Sequence, residues 1–342
     1  MTKKLLQGNE AICLGAIKAG MKFFAGYPIT PASEIMHFLS RQKDIGFVHA
    51  EDEIAAINMV IGASLGGAKS MTATSGPGFS LKQEGIGLAH MMEVPVVVVD
   101  CQRVGPSTGM PTLGSQGDIL QSAHGSHGDI FPIVFYPNSV EECYKYTIEA
   151  FNAAEDSQSP VILLTDTSTS HIYETADTEE IDKAAKIRQR TLEPFGKGTR
   201  HFTGLAHEKD APKTRDSENY KRWIKRTKEK QTRAANNYSF YEYMGQKDSD
   251  TLLVAYGITS RVISPLRDRF AIFRPIRLFP ILDELKIIAK DFKNIVVIEQ
   301  NEGQYLHEVE VLLKRKIQGI SVQGGEVKLS GIEEQLKVLG LE

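Results

Sequence analysis

The sequence has three cysteines, one tryptophan, no long hydrophobic run and almost no net charge. Cys13, Cys101 and Cys143 are far apart and form no C-x-x-C pair, which excludes a four-cysteine zinc site or iron–sulfur cluster and indicates a reducing compartment. The longest aliphatic run, Val94–Val99, is far too short to span a bilayer, and no apolar stretch of signal-peptide length follows the first residues. We therefore expect a cytoplasmic protein that does not enter the membrane.

The charge balance argues against a polyanionic partner. Lys and Arg number 40 and Asp and Glu 43, so the formal charge is −3 and no global field attracts nucleic acid or an anionic membrane. The composition, 41% hydrophobic and 24% charged, is that of a globular protein, and 342 residues exceed what one hydrophobic core usually serves. We expect two domains, with ligands recognised by local groups.

The chain alternates between β-branched runs and segments of helical period, which is typical of parallel sheets with crossover helices. We predict an α/β domain over residues 1–171, a charged linker over 172–248 and a smaller, largely parallel α/β domain over 249–342. The predicted strands are Lys22–Ala25, Gly46–His49, Ser70–Thr74, Val94–Asp100, Ile133–Tyr136, Val161–Thr165, Leu252–Tyr256, Ile276–Phe279 and Asn294–Glu299.

The linker contains the basic stretch Lys221–Arg226, which suggests either a nucleic-acid patch or a solvated helix. Acidic residues such as Glu218 and Glu229 lie beside it, and only one aromatic residue interrupts the charges. Mixed charge runs usually form solvated helix faces, so we favour a helix that docks Trp223 and Ile224 on a neighbouring element.

Three short motifs suggest chemistry but have ordinary explanations. Gly105–Gly109 matches G-x-S-x-G, yet a nucleophile elbow needs a helix directly after the serine, and glycine and proline follow here. His124, His127 and Asp129 form a weak metal-ligand pattern in a glycine-rich run, and we assign no metal to them. Thr74–Gly78 could cradle a phosphate on backbone amides or form a tight turn.

An acidic triplet, Glu51–Glu53, lies at a strand-to-helix junction. Its ordinary explanation is helix capping and interaction with the helix dipole. Glu53, however, precedes Ala56 by three residues and Gly62 by nine. This spacing resembles the pyrimidine-binding domain of thiamine-diphosphate enzymes.

The resemblance extends over nearly the whole chain, through motifs that occur in the expected order: Tyr27–Pro31, Ala50–Ala55, Met71–Ser80, Gln102–Arg103 and Gly105–Gly109. The chain resembles the α subunits of 2-oxoacid:ferredoxin oxidoreductases. The match from Gly125 to Tyr144 is most similar to the 2-oxoglutarate type. The resemblance implies a thiamine-diphosphate pyrimidine-type domain followed by a smaller transketolase-C-terminal-like domain.

The implied reaction is the coenzyme A-dependent oxidative decarboxylation of 2-oxoglutarate to succinyl-CoA and CO₂, with electrons passed to ferredoxin. The resemblance assigns Glu53 to the carboxyl that hydrogen-bonds the aminopyrimidine ring, a role suited to a partly buried carboxylate. It assigns Thr30 and Arg103 to the substrate carboxylate, which suits a hydroxyl donor and a planar guanidinium. It places further cofactor contacts at Tyr27, Pro28, Ile29 and Gly76.

Two of these residues have ordinary alternatives. Thr30 or Ser33 could be a helix N-cap, and Arg103 could form a surface ion pair. The chain could also be a non-catalytic scaffolding subunit in which the acidic triplet only caps a helix. A nicotinamide-dependent dehydrogenase is disfavoured, because no G-x-G-x-x-G follows the first strand.

The chain lacks the G-D-G motif that binds magnesium and the diphosphate, since Gly117-Asp118 and Gly128-Asp129 are each followed by Ile. The resemblance therefore implies a β subunit that supplies the diphosphate and magnesium site, so no metal ligand is assigned here. It also implies cluster-bearing γ and δ subunits on the route to ferredoxin. Pyruvate or a branched-chain 2-oxoacid remains an alternative substrate.

Overall fold

The computed structural model of the chain describes residues 3–208, 211–246 and 248–341. The strands in these ranges are β1 (Lys4–Gln7), β2 (Phe23–Gly26), β3 (Gly46–His49), β4 (Ser70–Thr74), β5 (Val97–Val104), β6 (Met110–Gly114), β7 (Ile133–Phe135), β8 (Val161–Asp166), β9 (Tyr173–Ala176), β10 (Tyr241–Gly245), β11 (Thr251–Ala255), β12 (Ala271–Pro275), β13 (Arg277–Phe279), β14 (Asn294–Glu299) and β15 (Gln318–Ser321).

The helices in the same ranges cover both faces of the sheets. They are α1 (Gly8–Lys18), α2 (Ser33–Leu39), α3 (Glu53–Leu65), α4 (Gly76–Met91), α5 (Ile119–His124), α6 (Val140–Ser157), α7 (Thr167–His171), α8 (Thr178–Ala184), α9 (Ser217–Asn236), α10 (Gly257–Val262), α11 (Asp283–Ile288), α12 (Gln304–Leu313) and α13 (Leu329–Val338). Across the described ranges, no helix combines the length and the apolar character that a bilayer crossing requires.

The first large sheet has the order β13-β7-β8-β5-β4-β2-β3, with β6 paired to β5 outside this path. The neighbouring strands from β7 through β3 in this order are parallel. The strand β13 is antiparallel to β7, and β6 is antiparallel to β5. Every residue of β4 and β8 is buried, as expected for a parallel sheet covered on both faces. This is the predicted arrangement for the first part of the chain.

The second large sheet has the order β10-β12-β11-β14-β15, in which only the β10–β12 pair is antiparallel. A second, largely parallel α/β unit is therefore confirmed. The 172–248 segment, predicted as a linker, contains β9, α8, α9 and β10.

One strand prediction was wrong in its placement. The segment Ile276–Phe279 was assigned to the second unit, but Arg277–Phe279 pairs with β7 at the edge of the first sheet. The strand of the second sheet is Ala271–Pro275 instead. The reason is that β7 would otherwise be the unpaired edge strand of the first sheet. The β13 strand pairs with it there, and Leu278 of β13 is buried among core residues of both units.

The helix α9 docks through its aromatic residue, as the mixed-charge pattern predicts. Trp223 is 4% exposed and meets the His90 ring edge-on, with ring centroids 6.0 Å apart. Glu93 accepts hydrogen bonds from Arg226 and Lys230 on α9. Burial raises the pKa of Glu93, but these two cations outweigh it and lower that pKa to about 2. The basic face of α9 is thus tied to the first sheet.

We expect Glu93→Gln to lower the free energy of unfolding by roughly 2–3 kcal/mol near neutral pH, because both cations lose a buried partner. The pKa of Glu93 is depressed on folding, so its contribution is present above the unfolded pKa and is lost as the pH falls towards about 2. Urea denaturation of both proteins at about pH 7 and about pH 3 measures this. A difference of equal size at both pH values would contradict it.

Candidate active site

The predicted site residues converge at one edge of the first sheet, where the carboxyl ends of β2, β3, β4 and β5 meet. Tyr27–Thr30 follows β2, Glu53 follows β3, Gly76 follows β4 and Arg103 lies near the end of β5. Parallel strands place their carboxyl ends on the same side, which is where ligands bind in open α/β sheets. Each side chain is therefore positioned by a different strand of one rigid sheet.

The acidic triplet divides into a cap and a buried carboxyl. Asp52 is the N-cap of α3, and its Oδ1 accepts a hydrogen bond of 2.7 Å from the Ala55 amide. Glu51 and Asp52 are exposed, whereas Glu53 is 3% exposed. Helix capping therefore accounts for Asp52 and leaves Glu53 without a capping role.

Both carboxylate oxygens of Glu53 contact polar groups. The Thr74 hydroxyl donates to Oε1 at 2.7 Å, and the Lys82 ammonium forms an ion pair with Oε2. Lys82 Nζ also donates to the Glu53 carbonyl oxygen at 3.2 Å. Among the described residues, none gives Oε2 a hydrogen bond of ordinary geometry. Within the described ranges, Oε2 therefore has the Lys82 ammonium as its partner and no further hydrogen bond of ordinary geometry.

Gly78 is required for this arrangement. A Cβ atom at Gly78 would lie 2.3 Å from Glu53 Oε1 and 2.2 Å from Thr74 Oγ1, far inside van der Waals contact. Any larger residue would displace the Glu53 carboxyl. The Thr74–Gly78 segment is thus a close-packed support for Glu53, which explains the glycine at position 78.

Lys82 is a site residue that our sequence interpretation missed. It is fully buried on α4, and this burial lowers its pKa, while Glu53 opposes the shift. The available signal was its helical position, three residues after Phe79 and four before Ile86, which places it on the buried face of α4. A lysine on such a face requires an anionic partner.

Thr30 and Arg103 lie together. Arg103 is 7% exposed, and its Nη1 donates to the Thr30 carbonyl oxygen at 2.8 Å. The N-cap of α2 is Ala32, without a side-chain cap, so neither Thr30 nor Ser33 is a capping residue. Burial lowers the pKa of Arg103, and the nearby Asp118 and Asp100 oppose this. The buried guanidinium is therefore not part of an exposed surface ion pair.

The other predicted contacts line the same edge. Tyr27 is 42% exposed beside the His49 ring, Pro28 is exposed, and Ile29 packs partly into the core. Gly76 begins α4 with φ of +26°. Their roles in holding a ligand stay predictions.

The two other motifs have structural roles. Gly105–Gly109 joins the antiparallel strands β5 and β6, and no helix follows Ser107, so it is not a nucleophile elbow. His124 Nε2 lies 3.6 Å from Glu308 Oε1. In the part of the chain that the structure describes, no three His, Cys, Asp or Glu side chains are grouped where they could hold a metal ion.

Comparison with known proteins relates the chain to one group of oxidoreductases. The family described as pyruvate flavodoxin/ferredoxin oxidoreductase, thiamine diphosphate-binding, matches residues 14–245. The 2-oxoglutarate synthase subunit KorA of Methanocaldococcus jannaschii is 40% identical over 357 residues, covering 96% of this chain and 97% of the relative. The ketoisovalerate oxidoreductase subunit VorB of Methanothermobacter marburgensis is 35% identical, covering 96% of this chain and 95% of the relative.

Solved structures are also similar to the chain. The 2-oxoglutarate:ferredoxin oxidoreductase of Magnetococcus marinus, solved with 2-oxoglutarate, coenzyme A and succinyl-CoA bound, aligns with a TM-score of 0.91 and 31% identity. The alignment covers 98% of this chain and 65% of that longer chain. A split-gene transketolase aligns with a TM-score of 0.52 and 13% identity, which is a likeness of fold alone.

We expect Lys82→Met to lower the free energy of unfolding by about 3–5 kcal/mol, because it leaves the buried Glu53 carboxylate without its cation. Lys82→Met combined with Glu53→Gln should cost clearly less than the sum of the single substitutions, since the pair is lost together. Urea denaturation of the four proteins measures this coupling.

The control is Lys18→Met, which removes an ion pair of 3.1 Å with Asp182 between partly exposed side chains. This change should cost at most about 1 kcal/mol. Additive losses for Lys82 and Glu53 would show that the two side chains are not energetically coupled.

Proposed function

The chain belongs to the pyruvate flavodoxin/ferredoxin oxidoreductase family of thiamine diphosphate-binding proteins, and we propose that it is the α subunit of a 2-oxoglutarate:ferredoxin oxidoreductase. The family resemblance and the fold class inferred from the sequence motifs are confirmed. The proposed reaction is the coenzyme A-dependent oxidative decarboxylation of 2-oxoglutarate to succinyl-CoA and CO₂. The KorA relatives and the ligands bound in the Magnetococcus marinus enzyme support this substrate.

The observation that carries the proposal is the buried Glu53 carboxyl at the carboxyl end of β3, which Thr74 and Lys82 hold in place. When bound, thiamine diphosphate supplies a carbon nucleophile that adds to a 2-oxo group and holds the electrons released by decarboxylation. Glu53 fits the aminopyrimidine of this cofactor, because it is a buried carboxyl at the ligand-binding edge of the sheet, and its Oε2 is paired with Lys82 but accepts no hydrogen bond of ordinary geometry from the described residues. Thr74 fixes Oε1, and the Lys82 ammonium beside Oε2 can resupply a proton that Glu53 gives up.

Arg103 and Thr30 are the proposed substrate-binding residues. Arg103 offers a buried, planar set of donors that suits a carboxylate, and its contact with the Thr30 carbonyl oxygen fixes one of its nitrogens. Thr30 is exposed, so its hydroxyl can reach a ligand at the sheet edge. Tyr27, Pro28, Ile29 and Gly76 complete the proposed cofactor side of the site.

We propose that a β subunit completes the site with the diphosphate and magnesium ligands. The missing G-D-G motif supports this division. So do the exposed apolar side chains of Ile54, Met59 and Leu81 on α3 and α4, the helices that carry Glu53 and Lys82. Exposed clusters of apolar side chains often mark protein–protein interfaces, and a β subunit that binds here would cover these three side chains.

Electron transfer to ferredoxin is assigned to iron–sulfur clusters on partner subunits of the γ and δ type. The three cysteines are free and buried, and within the described ranges they form no metal-ligating group. Reduced thiols agree with a cytoplasmic location. In this proposal the domain limits remain 1–171 and 249–342, joined by residues 172–248.

The second candidate keeps the chemistry and changes the substrate. The similarity to a ketoisovalerate oxidoreductase subunit favours a branched-chain 2-oxoacid as the competitor, with pyruvate as a further possibility. A purely scaffolding role would not explain why a Lys82–Glu53 ion pair is buried at the edge of the sheet where ligands bind.

We expect Glu53→Gln to reduce kcat of the assembled enzyme by at least about 100-fold, because the amide cannot exchange a proton with the cofactor ring. The matched control is Glu51→Gln, which changes an exposed carboxyl of the same triplet and should leave kcat within about twofold. The measurement is 2-oxoglutarate- and coenzyme A-dependent dye or ferredoxin reduction by the complex purified through a tag on this chain.

Near-wild-type turnover of an intact Glu53→Gln complex would refute the catalytic assignment. The same assay with pyruvate and 2-oxoisovalerate separates the substrate candidates, since specificity is the ratio of kcat/KM values. A higher kcat/KM for either of these acids than for 2-oxoglutarate would replace the proposed substrate.

A further inference from the structure

A short loop connects β2 to α2 and carries Thr30. Its residues 27–32, which we call the Thr30 loop, belong to no helix or strand. Tyr27, Pro28 and Thr30 are exposed, whereas Pro31 is buried. A loop with this much exposed surface keeps one conformation only if neighbouring elements bind its backbone. These hydrogen bonds therefore decide whether Thr30 is in place before a ligand arrives.

Two consecutive carbonyl oxygens of the Thr30 loop accept hydrogen bonds from buried side chains. Arg103 Nη1 donates to the Thr30 carbonyl oxygen at 2.8 Å. Asn9 Nδ2 donates to the Pro31 carbonyl oxygen, also at 2.8 Å, and Asn9 is completely buried. Arg103 already has a place in the proposed substrate site, whereas the contact of Asn9 is not explained by the roles given above.

The neighbours of Asn9 fix its amide in one orientation. Asn9 Nδ2 also donates to Glu34 Oε2 on α2 at 3.4 Å, and Asn9 Oδ1 accepts a hydrogen bond of 3.6 Å from the Cys101 thiol on β5. A carbonyl oxygen and a carboxylate oxygen require the amide nitrogen, while a thiol donor requires the amide oxygen. All three contacts agree, so both N–H groups of Asn9 are used and the amide cannot turn over without losing them.

The helix that carries Asn9 is itself fixed by close packing. A Cβ atom at Gly8 would lie 2.0 Å from the Thr169 carbonyl oxygen of α7. Farther along α1, a Cβ atom at Gly15 would lie 2.5 Å from the Tyr144 carbonyl oxygen of α6. The two glycines let the backbone of α1 lie directly against two other helices. Asn9 therefore reaches the Thr30 loop from a rigid element.

We propose that Asn9 is a positioning residue, which holds the Pro31 carbonyl oxygen and thereby keeps Thr30 in the position that receives the substrate carboxylate. The role of Thr30 in this statement rests on the proposed function. Asn9 acts through the Thr30 loop, because its own side chain is buried and bonded to protein groups. Arg103 holds the preceding peptide group, so α1 and β5 together fix two successive peptide groups of the loop.

Loss of the Asn9 hydrogen bond should act on substrate binding and not on the chemical step. Without it, the Thr30 loop samples further conformations, and only a fraction of the molecules has Thr30 in place. The apparent affinity for the substrate falls in proportion to that fraction, because binding must first restore the competent conformation. Once the substrate is bound, the loop has its wild-type conformation, so turnover changes little.

The test is Asn9→Leu in the assembled complex, with 2-oxoglutarate as the substrate. Leucine has the same branched shape and no donor, so KM should rise by about tenfold while kcat stays within about threefold of wild type. Asn9→Ala should give the same result, and it serves if the leucine variant does not assemble. A residue that only supports the fold would lower the amount of active complex, so a reduced kcat with an unchanged KM would overturn the proposal.

The matched control is Cys13→Ala, one helical turn after Asn9 on the same face of α1. The Cys13 thiol donates to the Ile35 carbonyl oxygen of α2 at 3.7 Å, beyond the Thr30 loop. Both KM and kcat of this variant should stay within about twofold of wild type. An equal rise of KM in Cys13→Ala and Asn9→Leu would indicate a general loosening of α1 and would contradict the proposal.

Hydrogen exchange of the substrate-free complex tests the loop without relying on turnover. The Ala32 amide donates to the Ile29 carbonyl oxygen at 2.8 Å within the loop. Peptides that cover residues 27–35 should exchange at least about tenfold faster in Asn9→Leu than in Cys13→Ala, and saturating 2-oxoglutarate should remove the difference.

Two results separate the failure of this inference from that of the proposed function. Unchanged exchange in Asn9→Leu, or faster exchange with an unchanged KM, would refute the role of Asn9. Faster exchange in Asn9→Leu, together with a wild-type complex that does not turn over 2-oxoglutarate, would refute the proposed function and leave the contact of Asn9 with the Thr30 loop intact.

Discussion

The site depends on one buried ion pair, between Lys82 on α4 and Glu53 at the start of α3. A lone carboxylate or ammonium at this depth would be strongly destabilising, so each side chain requires the other. Thr74 and the Cβ-free position at Gly78 leave the Glu53 carboxyl no room to move. The result is a rigid, buried carboxyl at the start of α3, and α3 and α4 also carry the exposed apolar side chains of Ile54, Met59 and Leu81. A cofactor ring and a partner subunit would use these two features.

The same sheet edge arranges the remaining charges. Parallel strands bring the ends of β3 and β5 together, so that Glu53 and Arg103 lie at the same sheet edge although they are about 50 residues apart in sequence. In the proposed function, partner subunits would supply the diphosphate and cluster ligands, for which this sequence has no motif.

Much of this could be predicted from the sequence, and the exceptions have physical causes. The strands Gly46–His49, Ser70–Thr74 and Asn294–Glu299 were predicted with the bounds that the structure shows. The β-branched run in Asn294–Glu299 marks a buried parallel strand, whereas Gly46–His49 is only partly buried. Glu53 and Arg103 were predicted from motifs, and the structure places both at the same sheet edge. Lys82 was not predicted as a site residue, because its role depends on its contact with Glu53, which lies 29 residues earlier in the sequence. The assignment of Arg277–Phe279 to the second sheet was also wrong. This strand pairs with β7 because β7 would otherwise be an unpaired edge of the first sheet, and the local sequence pattern does not show that edge.

The central claim is that this chain provides only the pyrimidine half of a thiamine diphosphate site. Calorimetric titration of the cofactor, with magnesium present, tests it most directly when done on the chain alone and on the chain co-expressed with a β subunit. The account predicts weak or no binding by the chain alone and tight, magnesium-dependent binding by the assembled pair. Tight binding by the isolated chain, or none by the pair, would contradict it.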